Sequence, residues 1–369
     1  MMGFFDKVKK TLGSKKEDES QNSVNDEVID EPTFTQSIEK DNGNFNDYKE
    51  DQSEDSEETH VNEEVIDEPT PDEKIRNFRY LDELVHSGVK EIVLDSDIVL
   101  DHDEESQYLN GIKLDVDDLA IDGNGHAIDA LGLTRIFYCT GKNIIIKNII
   151  LKNGFTKYDG GAIHNYEGEL TITESTLQQN TAKGYGGAIN NWGELTITKS
   201  TLTGNTAEGS GGAICNVGGV LTITGSTLTG NTAQDGSGGA INNWGELTIT
   251  ESTLNNNTAQ DGSGGAINNW GELTITESTL NNNTAARNGG AIFNPKGMLF
   301  ITKSTLQKNT SQEYGGAINN DEGELTITES TLNNNTAKEY GGAIDNSGKY
   351  ESENCTFKDN KPDDVYEEK

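Results

Sequence analysis

A four-residue motif, Gly-Gly-Ala-Ile, begins at positions 160, 186, 211, 238, 264, 289, 315 and 341, and so recurs every 25 to 27 residues. Eight copies at that period restrict the chain to a solenoid, in which each unit borrows its core from its neighbours. The fullest unit reads GGAINNWGELTITESTLNNNTA, and residues 234–259 recur verbatim as 260–285, the mark of tandem duplication. Inside one unit Leu170-Thr171-Ile172-Thr173 alternates apolar and polar, and Ser175-Thr176-Leu177 resumes the alternation one residue later. That pattern predicts short strands joined by turns, with Ala162, Ile163, Leu170, Ile172, Leu177 and Ala182 inside and the threonines outside. About six small or medium apolar groups, worth roughly 1.5–3 kcal/mol for each larger one, cannot offset the entropy of ordering a coil alone. Stacking is obligatory.

Two asparagines recur in every unit. One follows the Ile (Asn165, Asn191, Asn216, Asn243, Asn269, Asn294, Asn320, Asn346) and one precedes the next turn (Asn180, Asn205, Asn231, Asn257, Asn283, Asn309, Asn335, Asn360). They are expected to stack as ladders about 4.8 Å apart, with left-handed backbone at the bends that asparagine tolerates. Upstream, Ile145, Asn148, Ile150 and Asn153 are expected in the Ile, Ser, Leu and Asn slots, and residues 119–128 read as one more coil. At the other end Ser352 falls in the inward Ile slot among Lys349, Glu351 and Glu353, a pattern that predicts a polar terminal cap.

The remainder divides by composition. Residues 1–16 collect Met1, Met2, Phe4, Phe5, Val8 and Leu12 on one helical side with five lysines, an amphipathic basic segment expected to touch a membrane surface peripherally. Residues 17–73 hold 22 acidic side chains against Lys40 and Lys49 and predict a disordered acidic linker, within which VNDEVIDEPT at Val24 is nearly repeated at Val61. Residues 74–101 predict a capping helix, with Ile75, Phe78, Leu81 and Val85 on one face and Gly88 as its stop, followed by a strand over Glu91–Asp101. Residues 102–360 form the repeat body and 361–369 a charged tail. With 31% hydrophobic residues and 42 glycines, one large globular core is excluded. A net charge of −35 repels phosphates, so nucleic acid is excluded as a partner. Cys139, Cys215 and Cys355 show no zinc or disulfide spacing, and no run of apolar residues is long enough for a transmembrane helix.

On GGAI paired with STLxxN, the chain resembles the right-handed parallel β-helix, pectin-lyase-like superfamily, and within it adhesin-like proteins built from polymorphic-outer-membrane-protein-type repeats. The resemblance spans residues 160–360 closely and 90–155 loosely. It implies an all-β, right-handed parallel β-helix with a short N-terminal capping helix, and an adhesin's role in binding rather than catalysis. The superfamily also contains polysaccharide lyases and glycoside hydrolases, so a carbohydrate-active enzyme is the alternative. Members of the adhesin type start with a secretion signal, which residues 1–16 do not supply, because Asp6 and Lys7 interrupt the apolar run. A cytoplasmic place, or one at the inner face of a membrane, follows from that departure, and the cell surface follows from the resemblance.

Catalytic chemistry finds little footing in the repeats. They hold one arginine, Arg287, and one histidine, His164, while Asp159, Asp235 and Asp261 fall in turns rather than on a strand face where paired carboxylates would act. No catalytic residue, metal ligand or cofactor site is assigned. Glu169, Glu194, Glu246, Glu272 and Glu324 form a column at the strand entrance, broken by Val220 and Met298, which keeps the edge soluble. Outward Thr-x-Thr pairs such as Thr248/Thr250 resemble the threonine arrays of β-helical ice-binding proteins, with glutamates interrupting the flat face. The candidate binding residues are aromatic. Tyr166, Trp192, Trp244 and Trp270, with Val217 among them, occupy one slot on five successive coils and include all three tryptophans of the chain. At about 4.8 Å per coil they predict a ridge about 19 Å long, suited to a glycan or protein ligand.

Overall fold

A computed structural model describes residues 76–368. The expected contact of residues 1–16 with membrane and the expected disorder of residues 17–73 lie outside the described residues. Within them the alternating threonine and aliphatic segments form an all-β parallel solenoid. Three sheets have eleven strands each and a fourth has eight, and in every sheet each strand pairs with its counterpart one coil away. A typical coil runs Ile241–Asn243, Glu246–Thr250, Thr253–Asn255 and Thr258–Ala259, one strand in each of the third, first, second and fourth sheets. The verbatim copy continues in perfect register, Leu247 beside Leu273 and Ile249 beside Ile275.

The predicted inward residues Ala162, Ile163, Leu170, Ile172, Leu177 and Ala182 are all buried, as are their counterparts down the stack. Burying one such set per coil at about 25 cal/mol per Å² drives the stacking. Polar ladders fill the corners. Each Nδ2 of the first ladder donates to the next Oδ1 over seven steps from Asn165 to Asn346, for example Asn191 to Asn216 at 2.8 Å. The ladder starts at Asn165 because Cys139 holds the slot one coil earlier. The second ladder, Asn180 to Asn360, adds a bond from each Nδ2 to a leucine carbonyl of the preceding coil, such as Asn257 to Leu228 O at 3.0 Å. Serines form a third ladder: Ser175, Ser200, Ser226, Ser252, Ser278, Ser304 and Ser330 each donate to the carbonyl two residues back, and all but Ser175 accept the amide of the serine one coil earlier.

Two expectations need correction. The ladder asparagines do not take left-handed backbone. Positive φ falls one residue earlier, at Gln179, Asn256, Asn282, Lys308 and Asn334, and at the other corner on Glu174, Lys199, Glu251, Glu277, Lys303 and Glu329. The bend is made there, which leaves the ladder residue free to aim its amide inward. The upstream coil runs one residue out of the expected register. Ile144 and Ile146, not Ile145, pair with Leu170 and Ile172, while Ile149 and Leu151 fill the slots given to Asn148 and Ile150. Gly154, not Asn153, holds the asparagine slot, and Asn153 has a φ of 54°. The runs Ile144-Ile145-Ile146 and Ile149-Ile150-Leu151 are apolar throughout, so alternation gave no phase, and a slip of one residue turns every side chain over.

The capping helix α1 spans Phe78–Val85, with Asn77 Oδ1 accepting the Tyr80 amide at 3.1 Å. Phe78, Leu81 and Val85 are buried on the solenoid's first coil. The strand expected over Glu91–Asp101 is divided by a corner: Glu91–Val93 opens the first sheet and Ile98–Val99 the second. At the other end Ser352 does occupy the Ile327 slot, and Val365–Glu367 supplies the last strand of the third sheet.

Candidate functional site

The ridge residues stand at the corner between the third and first sheets. Each backbone amide is fixed to the coil before it: Tyr166 N to Cys139 O, Trp192 N to Asn165 O, Val217 N to Asn191 O, Trp244 N to Asn216 O and Trp270 N to Asn243 O, all at 2.8 Å. The buried asparagine immediately before each aromatic belongs to the first ladder, so the row inherits the solenoid's spacing. The side chains point out. Trp192, Trp244 and Trp270 are 48%, 53% and 40% exposed and Tyr166 is 44% exposed. Trp244 and Trp270 stack with ring centroids 5.1 Å apart and planes within 3°. One face of each indole is thus turned to the other, while Val217 leaves a notch one coil wide between Trp192 and Trp244.

The sequence treated Val220 and Met298 as breaks in the glutamate column. In the structure they are exposed apolar groups beside the ridge, and Phe300 joins them where neighbouring coils carry Thr274 and Thr326. The signal that marks them is their departure from the consensus of their slot. The glutamates themselves align, Glu169 beside Glu194 and Glu246 beside Glu272. Lysines pair with the column's two ends, Lys142 with Glu169 at 3.2 Å and Lys349 with Glu324 at 3.6 Å. The ridge therefore has a flank of solvated carboxylates and an apolar patch at Val220 and another at Met298 and Phe300.

His164 lies one slot inside this row, on the outward column of the third sheet. Burial pushes its pKa down to about 4, with the buried Arg135 guanidinium adding to the effect. Its Nδ1 has no hydrogen-bond partner, and its ring clusters with those of Tyr138 and Tyr166, the three centroids 5.3, 6.2 and 6.5 Å apart. It is a packing group whose depressed pKa leaves it neutral at physiological pH. Cys139 and Cys215 are buried, with thiols pushed up to about 12 by burial. Among the described residues no three His, Cys, Asp or Glu side chains are arranged to hold a metal ion, and no helix is long and apolar enough to cross a membrane.

Three segments, residues 199–217, 277–295 and 329–347, match the Chlamydia polymorphic membrane protein repeat. Each begins at a left-handed corner residue or its equivalent, crosses the second, fourth and third sheets, and contains one asparagine of each ladder: Asn205 and Asn216, Asn283 and Asn294, Asn335 and Asn346. None of the three contains a tryptophan, so the match speaks for the scaffold and leaves the ridge to be argued from its own geometry. No curated protein matches the chain. With its strands stacked in parallel coils and its corners built from this repeat, the chain is a β-helix repeat protein resembling the adhesins of the polymorphic-membrane-protein type.

Proposed function

We propose that the protein is a non-enzymatic, adhesin-like interaction protein that holds a glycan or protein ligand against the ridge of Tyr166, Trp192, Trp244 and Trp270. The observation that carries this is the exposure of every tryptophan in the chain, in one row, on backbone tied down at each coil. A soluble protein rarely leaves such a row uncovered without using it, because large aromatic side chains dominate binding energy where they are desolvated. Their placement on a rigid scaffold keeps the entropy cost of docking low. The repeat's membrane-protein origin supports a cell-surface place, in keeping with an adhesin. Catalysis by a polysaccharide lyase or hydrolase has no specific observation in its favour, since the one histidine of the repeats, His164, is half-buried with its pKa pushed down to about 4 by desolvation.

The test is a single-alanine scan of Trp192, Trp244 and Trp270 on a glycan array and on immobilised cell-surface proteins. Loss of about 2 kcal/mol of binding, roughly 30-fold, at one or more of these positions is expected for a central aromatic anchor. Binding that survives all three substitutions unchanged would remove the ridge from the account, and release of unsaturated or reducing sugars from a polysaccharide would reinstate the enzyme.

A further inference from the structure

The outward column of the third sheet begins Lys113, Tyr138, His164, Asn190, in register on successive coils. Exposure falls along it: Lys113 is open, Tyr138 and His164 are half-buried and Asn190 is buried. The cause is the turn that leads into each strand. From Gly160 onward a Gly-Gly pair presses the turn flat against the sheet, so that a Cβ on Gly160 would overlap the Ile163 carbonyl and stand 3.0 Å from Asn190 N. The two coils before it carry Leu109-Asn110 and Thr134-Arg135 in place of the glycines. There the column stays uncovered, and a cleft of about 630 Å³ remains beside α1.

One wall of the cleft is the Tyr138 ring, held 5.3 Å from the His164 ring with the planes within 2°. The rim supplies hydrogen-bonding groups of both signs: the Lys113 ammonium, the Asn110 and Gln107 amides, and the Asp82 carboxylate. Asp82 is held in place twice, by the Tyr108 hydroxyl, which donates to its Oδ2 at 3.1 Å, and by His86 Nδ1, 3.0 Å from its Oδ1. His86 is itself held from the other side by Asp115, 3.2 Å from Nε2. The cleft is thus preorganised, with one aromatic face and a polar rim.

That chemistry selects among ligand classes. Two carboxylates, Asp82 and Asp115, oppose a phosphate or polyanion. An acyl chain would leave the rim groups buried without partners. A sugar satisfies both surfaces, laying its CH face on the ring and exchanging hydroxyl hydrogen bonds with donors and acceptors at its edge. We propose that this cleft is a saccharide-binding site for a short uncharged oligosaccharide, with Tyr138 as the stacking platform and Lys113, Asn110 and Asp82 as hydroxyl partners. Tyr138 stands two coils from Trp192 but its ring lies 6.5 Å from that of Tyr166, the ridge's first residue, so the tryptophans and not Tyr166 are the independent control.

The test is calorimetric titration of the full chain with neutral di-, tri- and tetrasaccharides of the cello, chito, malto and lacto series. At least one series binds, Lys113→Ala and Tyr138→Ala each weaken it about ten-fold, and Tyr138→Phe keeps most of the affinity because the ring remains. Trp192→Ala leaves it unchanged. Lys113 is exposed, so its replacement reads binding without disturbing the fold. The proposal is overturned if no series binds, if Lys113→Ala and Tyr138→Ala bind as tightly as the parent, or if affinity falls with Trp192→Ala instead.

Discussion

Replacing Asn257 by alanine tests whether the amide ladder holds the coils together. Asn257 is fully buried. Its Oδ1 accepts from Asn231 N and Asn231 Nδ2, both at 3.0 Å. Its Nδ2 donates to Leu228 O at 3.0 Å and to Asn283 Oδ1 at 3.1 Å. Alanine deletes all four bonds. Asn231 Nδ2 keeps its bond to Leu202 O and Asn283 Oδ1 keeps the Asn257 amide, so the main orphan is the buried Asn231 N–H. One orphaned donor costs about 1–3 kcal/mol and each of the other lost bonds about 0.5–1.5 kcal/mol. The expected loss is about 3–5 kcal/mol, which for a solenoid of this size lowers Tm by about 6–10 °C. The control is its neighbour Asn256, exposed with a φ of 53°, where glycine keeps the left-handed conformation without strain and changes stability by under about 0.5 kcal/mol. Thermal melts followed by circular dichroism measure both. Equal shifts for Asn257→Ala and Asn256→Gly would show that the buried ladder contributes nothing beyond its corner and would refute the reasoning.

Deleting residues 260–285 joins Ala259 to Ala286 and removes one coil without breaking register, so the shortened chain is expected to melt cooperatively at a slightly lower temperature; a broad, multi-step melt would contradict the nearest-neighbour picture. All three thiols are expected to titrate in the denatured, non-reduced protein, and in the native protein Cys355 reacts first because Cys139 and Cys215 are buried with thiols pushed up to about 12. Asp345 faces Asn319 in a slot that is asparagine on four coils, and burial raises its pKa to about 6. Its folded pKa lies above the unfolded one, so ionisation costs stability above about pH 6 and costs nothing below the unfolded value near 3.8. Asp345→Asn is therefore expected to stabilise by up to about 1 kcal/mol at pH 7.5, discounted for the solvent that reaches the carboxylate, with the gain gone by pH 3.5 in paired melts.

The fold was legible because its signal repeats: eight copies of a period-two pattern leave one way to bury Leu170, Ile172 and Leu177 and one way to satisfy two buried asparagines per coil. Legibility failed where the pattern lost contrast. Around Ile144–Ile146 every residue is apolar, so the register could come only from the coil stacked above. The serine ladder escaped because serine is common on exposed strands, and its burial depends on a corner that sequence does not display. For the candidate site, the aromatic row was visible as a recurring slot, whereas Val220, Met298 and Phe300 were dispersed among unlike positions and became neighbours of the row only through the coil geometry. The cleft at Tyr138 was invisible, since it arises from glycines missing in two coils rather than from any motif that is present.

All three tryptophans lie in the ridge, so tryptophan emission, excited at the red edge where the 11 tyrosines do not absorb, reports on that surface. Free protein is expected to show a red-shifted emission that acrylamide quenches, because the indoles are 40–53% exposed. Adding the tightest array ligand that the Tyr138→Ala protein still binds, at a concentration that calorimetry shows to be saturating, is expected to shift the emission to the blue and to protect it from quenching. A ligand that saturates the protein while emission and quenching stay as they were would place binding elsewhere and contradict the central claim.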